Sequence, residues 1–293
     1  MENISIEKRN RFNDQFVKYL FADEENKKFT LSFVNSVFEY DESQQLSDLN
    51  FINTELHSKN KDDKWSLLDV NIISPDGIKV NIEIQDKMYR AMAERSIYYW
   101  AKSIKLIKNG EYESLKRQVS INLLNFNLVE PIFRPNFHNA YLVINKRDPR
   151  DIFSNILEQQ TIEMPKWETV RPALHDMCML DKWLCYLSGK TKDNDRIQLY
   201  QEDTIMSQVA VAEDKFFSDE EKIAAYVRAE KSRNDAIARE NFVRDEGRDE
   251  GRDEGRDEAN RKIVQNMMKK NYDLETIVDV TGLSTEKIKS YSI

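Results

Sequence analysis

The sequence predicts an α/β domain, in which helices flank a central mixed sheet, followed by a helical C-terminal extension. Apolar and polar residues alternate, as is typical of half-buried strands, at residues 65–85, 118–126 and 140–145. Apolar residues at helical spacing occupy residues 13–38 and 86–108. From residue 218 onward the pattern is helical and charged, with too few apolar residues to pack on all sides. Strands and helices that follow one another in this way build a sheet covered by helices.

The elements that precede the central strands are two helices and a weak strand. Asn13 or Asp14 can cap the first helix, and a second helix follows as far as Phe38. Both carry apolar residues at helical spacing, so we expect both to cover the sheet. Residues 49–56 have a weak strand pattern and are expected to pair beside the hairpin that comes next.

A hairpin is predicted around the Pro-Asp-Gly turn at residues 75–77, because Pro presets the first turn position and Gly can adopt the left-handed conformation. A three-residue loop fixes the register and sets Asp69 opposite Glu83 and Asn71 opposite Asn81. Side chains alternate with a period of two, so one face is polar and the other apolar. The polar face consists of Asp69, Asn71, Asn81, Glu83 and Gln85. The apolar face consists of Leu68, Val70, Ile72, Val80, Ile82 and Ile84, and we expect it to face the core.

Two carboxylates directly opposite each other, Asp69 and Glu83, repel at a separation of about 5 Å. A divalent cation would reverse the sign of this interaction, because Mg²⁺ takes oxygen ligands and keeps several waters. Gln85 shares the face and could orient a water or a phosphate oxygen. An exposed hairpin with a solvated polar face explains the same pattern. The pattern alone leaves both interpretations open.

A long helix is predicted at residues 86–108, with a basic strip that lies largely off its apolar face. Arg95 and Lys102 belong to the strip, and Tyr99 lies between them. If the chain binds a nucleic acid, these side chains would meet its phosphates near the acidic pair. A solvated amphipathic helix with aromatic core residues explains the pattern equally well. A further strand is predicted at residues 156–164, and apolar helical material follows it.

The C-terminal part contains a four-residue Asp-Glu-Gly-Arg repeat between residues 245 and 258. Its charges are spaced for i,i+3 and i,i+4 pairing, whereas each Gly costs about 1 kcal/mol of helix stability, so a spacer or a marginal helix is expected. Residues 261–293 fit three short helices, with Thr-Gly-Leu-Ser at 281–284 resembling a helix-turn-helix turn. This terminal unit could bind DNA, or it could serve oligomerisation or docking.

Composition limits the range of functions. The chain has 293 residues, of which 33% are charged, and a net charge of −8, so any nucleic-acid contact needs a local basic patch. No run approaches the roughly 20 apolar residues of a membrane span, and the first thirty residues lack a signal-peptide core. We therefore expect a cytoplasmic protein without a membrane partner. Its expected domains are a main domain at 1–217, a charged helical spacer at 218–260 and a small helical unit at 261–293.

Three stretches of this chain resemble one family in the same order. They are Asp14–Phe21, Gly77–Gln85 with the sequence G-I-K-V-N-I-E-I-Q, and Glu94–Lys102 with the sequence E-R-S-I-Y-Y-W-A-K. Together with Asp69 they resemble the Rpn branch of the PD-(D/E)XK nuclease superfamily, the recombination-promoting nucleases and transposase-like proteins. The likeness covers most of residues 10–260. Gln85 stands where the superfamily has Lys but matches this branch, and Val17 stands where Phe is expected.

The resemblance implies a restriction-endonuclease-like core and a Mg²⁺- or Mn²⁺-dependent DNA endonuclease, with a link to recombination or mobile elements. Asp69, Glu83 and the carbonyl of Ile84 would hold the ion. Gln85 would position the nucleophile or the phosphate. Contacts to DNA would come from Arg95, Tyr99 and Lys102.

A second hypothesis belongs to a different functional class. The chain could be a catalytically silent DNA-binding or assembly protein that keeps the nuclease fold and uses its C-terminal unit to find partners. Homo-oligomerisation through the C-terminal helices is one such expected interaction. Metal binding would distinguish the two hypotheses.

Overall fold

The computed structural model describes residues 4–38, 43–52, 68–88, 91–103, 115–190 and 193–291. Within these residues, the strands are β1 (Asn50–Phe51), β2 (Leu68–Ile73), β3 (Lys79–Gln85), β4 (Gln118–Leu124), β5 (His138–Asn145) and β6 (Asp148–Glu163). The helices of the first part are α1 (Asp14–Ala22), α2 (Lys27–Phe38), α3 (Met92–Ser103), α4 (Met164–Val170), α5 (Met179–Ser188), α6 (Asp193–Glu202) and α7 (Thr204–Phe216). Those of the C-terminal part are α8 (Glu220–Lys269), α9 (Leu274–Thr281) and α10 (Thr285–Ser290).

The strands form one mixed sheet in the order β1-β2-β3-β4-β6-β5. β3, β4 and β6 run parallel, whereas β1–β2, β2–β3 and β5–β6 are antiparallel pairs. The predicted mixed sheet and α/β class are confirmed. The hairpin register is confirmed as well, because Asp69 pairs with Glu83 and Asn71 with Asn81.

The apolar face of the sheet is the core face, as predicted. Val70, Ile72, Val80 and Ile82 are almost completely buried on it. Helices α1, α2, α5 and α7 supply most of the aromatic residues of the same core, and the ring of Phe16 lies edge-on to that of Phe216 at 5.2 Å. Because this face is closed by helices, functional groups of the sheet must come from the other face.

A buried ion pair joins the segment before α1 to α7. Arg11 Nη2 lies 3.0 Å from Glu213 Oε1, and Arg11 Nη1 donates to the carbonyl of Tyr186 at 3.3 Å. Each charge is thereby compensated within the core, as buried charges must be. The segment before α1 is thus fastened to the helical layer.

Several element bounds differ from the sequence prediction. β6 begins at Asp148, eight residues before the predicted start at 156, because its first half pairs with β5 in a bulged two-stranded ribbon. It ends at Glu163, since α4 already begins at Met164 with a proline in its first turn, where the missing N–H costs nothing. The helix predicted from residue 86 begins only at Met92, after Ala91 with φ +82°. Residues 53–56 and 104–108, predicted as strand and helix, lie outside the described residues.

The chain forms two compact units, residues 1–229 and 230–293. The Asp-Glu-Gly-Arg repeat is helical and belongs to α8, which extends without a break from Glu220 to Lys269. The first of the three short helices predicted in the terminal part is therefore the end of α8. The predicted three-part division at 217 and 260 remains a prediction about independent function.

The terminal part has a small core of its own, formed by Val264, Ile277, Ile288 and Tyr291. Both helices at the helix-turn-helix-like turn are capped: Gly282 ends α9 with φ +66°, and Ser284 Oγ accepts from the backbone N–H of Lys287 at 3.2 Å. No helix of the described chain is both long and apolar enough to cross a membrane.

We expect Gly77→Ala to lower the free energy of unfolding by about 1–2 kcal/mol, the cost of a left-handed backbone for a residue with a Cβ. Gly77 has φ +87°, and an added Cβ would lie 3.0 Å from Lys116 Cγ. Urea unfolding followed by tryptophan fluorescence measures this, because all four tryptophans precede residue 230.

Gly251→Ala is the matched control for this substitution. Gly251 is helical, and nothing lies within 4 Å of its added Cβ, so alanine should favour the helix by about 0.5–1 kcal/mol. Equal effects of the two substitutions on the tryptophan-detected transition would show that the turn conformation is not a constraint.

Candidate active site

Glu83 lies in the middle of the sheet, on the face opposite the core. It pairs with Asp69 of β2 on one side and with Asn122 of β4 on the other. Its side chain is buried, with 3% exposure. The backbone register therefore places Asp69 and Glu83 on one face of adjacent strands, as the sequence predicts. The side chain of Asp69 lies outside the described residues.

Two amide groups hold the Glu83 carboxylate. Asn81 Nδ2 donates to Oε1 at 2.9 Å, and Gln85 Nε2 donates to Oε2 at 3.3 Å. These three residues alternate along β3, so the strand itself brings their side chains to the same face. In this arrangement Gln85 orients the carboxylate. Ile84, between Glu83 and Gln85, points its side chain into the core.

Helix α3 contributes positive charge to this face. It packs against β4, and its residues Met92 and Ser96 are buried. Arg95 is half-buried and acts electrostatically on Glu83. The side chains of Tyr99 and Lys102 lie outside the described residues, and neighbouring Tyr98 is exposed. Of the three predicted DNA contacts, the structure thus brings Arg95 into the neighbourhood of the acidic pair.

The family model described as PD-(D/E)XK nuclease family transposase matches residues 11–241. The chain belongs to this family. The match spans all the described strands and the first turns of α8, and it confirms the resemblance seen in the sequence. No curated protein and no solved structure matches the chain.

In this family member, burial raises the pKa of Glu83. The hydrogen bonds from Asn81 and Gln85 and the charge of Arg95 act in the opposite direction but do not reverse the shift. A carboxylate in this situation carries a charge that its surroundings compensate incompletely. A bound cation would supply the missing compensation, so the residues present fit a divalent metal.

No group of three or more His, Cys, Asp or Glu side chains that could hold a metal occurs in the part of the chain that the structure describes. The carboxylate of Asp69 does not belong to that part. A cleft of about 520 Å³ lies at the other end of the hairpin, between the 75–77 turn and residues 43–47. It contains none of the predicted site residues.

Sequence reasoning missed how far the polar face extends. Asn122 and Thr161 continue the row that begins with Asp69 and Glu83, and Ser120 and Gln159 continue the row of Asn81. The available signal was the polar half of the alternation in β4 and at the end of β6. It was overlooked because the apolar half already accounted for these segments as strands.

A buried ion pair closes the face at the end of β6. Lys166 Nζ lies 2.7 Å from Glu163 Oε2, and the same oxygen accepts from the backbone N–H of Leu128 at 2.7 Å. Both side chains are almost completely buried. Gln85 pairs with Leu124 of β4, and Leu124 pairs with Glu163 of β6, so Gln85 and Glu163 lie at the same level of the sheet. The pair fastens the segment after β4 beside the candidate site.

We expect metal-free Glu83→Gln protein to melt above the wild type, by a margin that grows with pH. Because the folded pKa of Glu83 is raised, the stability that its protonated form provides is present below the unfolded value of about 4.3 and is lost as pH rises through the folded pKa. Glutamine stays neutral throughout. Thermal melts with chelator at about pH 4 and about pH 8 test this. Each 1 kcal/mol by which the substitution raises the free energy of unfolding should raise the melting temperature by roughly 2–4 °C.

The melts at about pH 4 are the internal control, since Glu83 is then protonated in the wild type too. A difference in melting temperature that is independent of pH would show that the Glu83 carboxylate is not destabilised by burial.

Proposed function

We propose that this family member is a metal-dependent DNA endonuclease that hydrolyses phosphodiester bonds in recombination or in the movement of mobile elements. The observation that carries the proposal is the buried carboxylate of Glu83, set opposite Asp69 by the hairpin register in a chain of a nuclease family. A carboxylate pair is costly in a sheet unless a cation offsets it. A bound metal ion would offset the repulsion between the two carboxylates.

Asp69, Glu83 and the carbonyl of Ile84 would hold Mg²⁺ or Mn²⁺, which when bound supplies an activated water and charge neutralisation at the phosphate. The protein's own contribution is orientation. The amides of Asn81 and Gln85 fix the rotation of the Glu83 carboxylate through one hydrogen bond to each oxygen. Gln85 cannot replace the charge of the superfamily's lysine, and we assign it this positioning role together with contact to the nucleophile or the phosphate.

Helix α3 would provide the contact to DNA. The charge of Arg95 already acts at Glu83, so a phosphate near the carboxylates would meet a cation there. Tyr99 and Lys102 follow on the same helix and would extend the contact along the backbone. DNA binding requires a local basic contact of this kind, because the chain as a whole has a net charge of −8.

We further propose that the protein acts in the cytoplasm and that the helices at 261–293 serve DNA binding or homo-oligomerisation. The small core of the terminal part supports a separate role, because four buried residues stabilise a unit of this size only weakly. A second copy or DNA would add the surface it lacks.

We expect Asp69→Ala and Glu83→Gln each to reduce plasmid nicking with Mg²⁺ or Mn²⁺ by about 10³-fold or more, since either change removes a ligand that the reaction needs. Purified full-length protein is assayed with and without chelator. Asp76→Asn is the matched control, because Asp76 is an exposed carboxylate in the turn of the same hairpin and should retain full activity.

Nicking that survives chelator, or that is equal in all three variants, would contradict the proposed chemistry. Wild-type protein that binds DNA without nicking it under any of these conditions would favour the catalytically silent DNA-binding or assembly protein instead.

Deletion of residues 261–293 should leave metal-dependent nicking in place and alter assembly or DNA affinity, because none of the proposed site residues lies in this segment. Sizing chromatography detects a change of assembly, and a salt series of DNA binding detects lost phosphate contacts. Loss of nicking together with a lower melting temperature of the tryptophan-containing unit would show that the terminal segment supports that unit.

A further inference from the structure

Two large apolar side chains stand side by side at the surface, in the turn between β4 and β5. Ile132 and Phe133 are 85% and 80% exposed, and we call this pair the apolar tip. Single apolar side chains at the surface are normal, whereas neighbouring ones form a patch that marks a contact when it is presented to a partner. How the turn presents the apolar tip, and to what, is therefore informative.

The turn that carries the apolar tip is held in one conformation. The backbone N–H groups of Phe133 and Arg134 both donate to the carbonyl of Glu130, at 3.0 Å and 3.2 Å. Pro131 fixes one φ angle just before the tip. Arg134 Nη1 donates to the hydroxyl of Tyr141 at 2.5 Å, and its guanidinium lies 5.5 Å from the centroid of that ring. A tip on so stiff a support loses little conformational entropy when it inserts into a partner.

The turn follows a segment that is fastened beside the candidate active site. The backbone N–H of Asn125 donates to the carbonyl of Gln85 at 2.8 Å, and that of Leu128 donates to Glu163 Oε2 at 2.7 Å. Glu163 lies on the same face of the sheet as Glu83 and at the level of Gln85. The chain therefore leaves the candidate site only a few residues before the apolar tip.

These links bound the distance between the tip and the candidate site. Gln85 and Glu163 are two strand spacings apart, about 10 Å, and the four residues from Leu128 to Ile132 span at most about 14 Å. The tip thus lies within roughly 30 Å of Gln85, which corresponds to about nine base pairs at 3.4 Å each. A duplex bound with one phosphate at the carboxylates is long enough to reach it.

The size of the apolar tip restricts what it can bind. A stable protein interface needs about 800 Å² from each partner. Two side chains of this size offer on the order of 300 Å². A single Ile or Phe is, however, what DNA-bending proteins insert as a wedge between base pairs. Among the described residues Arg134 contacts the neutral Tyr141 and no carboxylate, so its charge is available to a phosphate beside such a wedge.

We propose that the apolar tip inserts between adjacent base pairs of DNA bound at the candidate active site and kinks the duplex. Arg134 contacts a phosphate next to the kink. The inference rests on the proposed nuclease function and specifies its substrate. Because insertion costs the stacking energy of one base step, the preferred substrate is DNA that unstacks easily, such as a duplex with a mismatch.

The test uses full-length protein and a duplex of about 30 base pairs that carries a donor and an acceptor dye at its ends, in Ca²⁺ so that the DNA stays intact. Wild-type protein should raise the energy transfer, because a kink of about 20–90° brings the ends together. It should also bind a duplex with one central mismatch about tenfold more tightly than the matched duplex, since the mismatch lowers the cost of unstacking.

Phe133→Ser should lose both the kink and the preference for the mismatch, whereas Phe133→Leu should keep most of both, because leucine is itself a wedge residue. The melting temperature should stay unchanged in both variants, since the side chain is 80% exposed. The salt dependence of binding should stay unchanged as well, because none of the three side chains neutralises a phosphate.

Phe153→Ser is the matched control and should keep both the kink and the preference. Phe153 is 83% exposed, but it lies in the other half of β6, ten residues before Glu163 and thus roughly 30 Å along the strand.

A wild type that lacks either the kink or the preference, or a Phe133→Ser variant that retains either at the wild-type level, would overturn the inference, while metal-dependent nicking still upholds the proposed function. Losses in Phe133→Leu or Phe153→Ser as large as in Phe133→Ser would overturn it too, because the effect would then not come from a wedge at this position. A clearly lower melting temperature of Phe133→Ser would show that the tip packs within the protein, with the same consequence. Wild-type protein that neither binds nor nicks DNA would overturn both proposals.

Discussion

The side-chain alternation of β3 is the constraint on which this structure depends. Val80, Ile82 and Ile84 face the helical core, so Asn81, Glu83 and Gln85 are forced onto the opposite face. A shift of one residue would exchange the two sets and bury charge in the core. The turn at Gly77, with its positive φ, therefore sets the register of the hairpin as well as the local backbone conformation. It determines which carboxylate meets Asp69.

The same constraint gives the candidate site its electrostatics. Glu83 lies in a central strand, and burial there raises its pKa. The amides that hold its oxygens and the charge of Arg95 compensate its charge only in part. The site is thus destabilised in the absence of a ligand, which is the usual condition of a preorganised active site. Buried polar atoms of Asn122, Gln159 and Thr161 that have no hydrogen-bond partner among the described residues lie on the same face.

Much of this arrangement could be predicted from the sequence because its causes are local. The Pro-Asp-Gly turn and the alternation of β2 and β3 establish the hairpin, its register and its core face. The Asp-Glu-Gly-Arg repeat was harder to judge, since the cost of glycine competes with charge pairing, and the structure continues α8 through it.

The extension of the polar face across β4 and β6 could not be predicted, because it depends on which strands lie beside β3. Gln159 and Thr161 are distant from Glu83 in sequence, and only the parallel pairing β3-β4-β6 brings them to the same face. The burial of the ion pair between Glu163 and Lys166 could not be predicted for the same reason. The sequence predicts that a strand ends at residue 164, but the burial of Lys166 two residues later follows from tertiary packing.

Titration calorimetry of Mn²⁺ binding, in two buffers of different ionisation enthalpy, tests the central claim that Glu83 and Asp69 form a metal site. The account predicts that wild-type protein binds Mn²⁺ and releases protons on binding at mildly acidic pH, because the raised pKa keeps part of Glu83 protonated until the ion binds. Glu83→Gln should lose both the binding and the proton release, whereas Asp76→Asn should keep them. Mn²⁺ binding of equal strength to wild type and Glu83→Gln, or no binding to either, would contradict it.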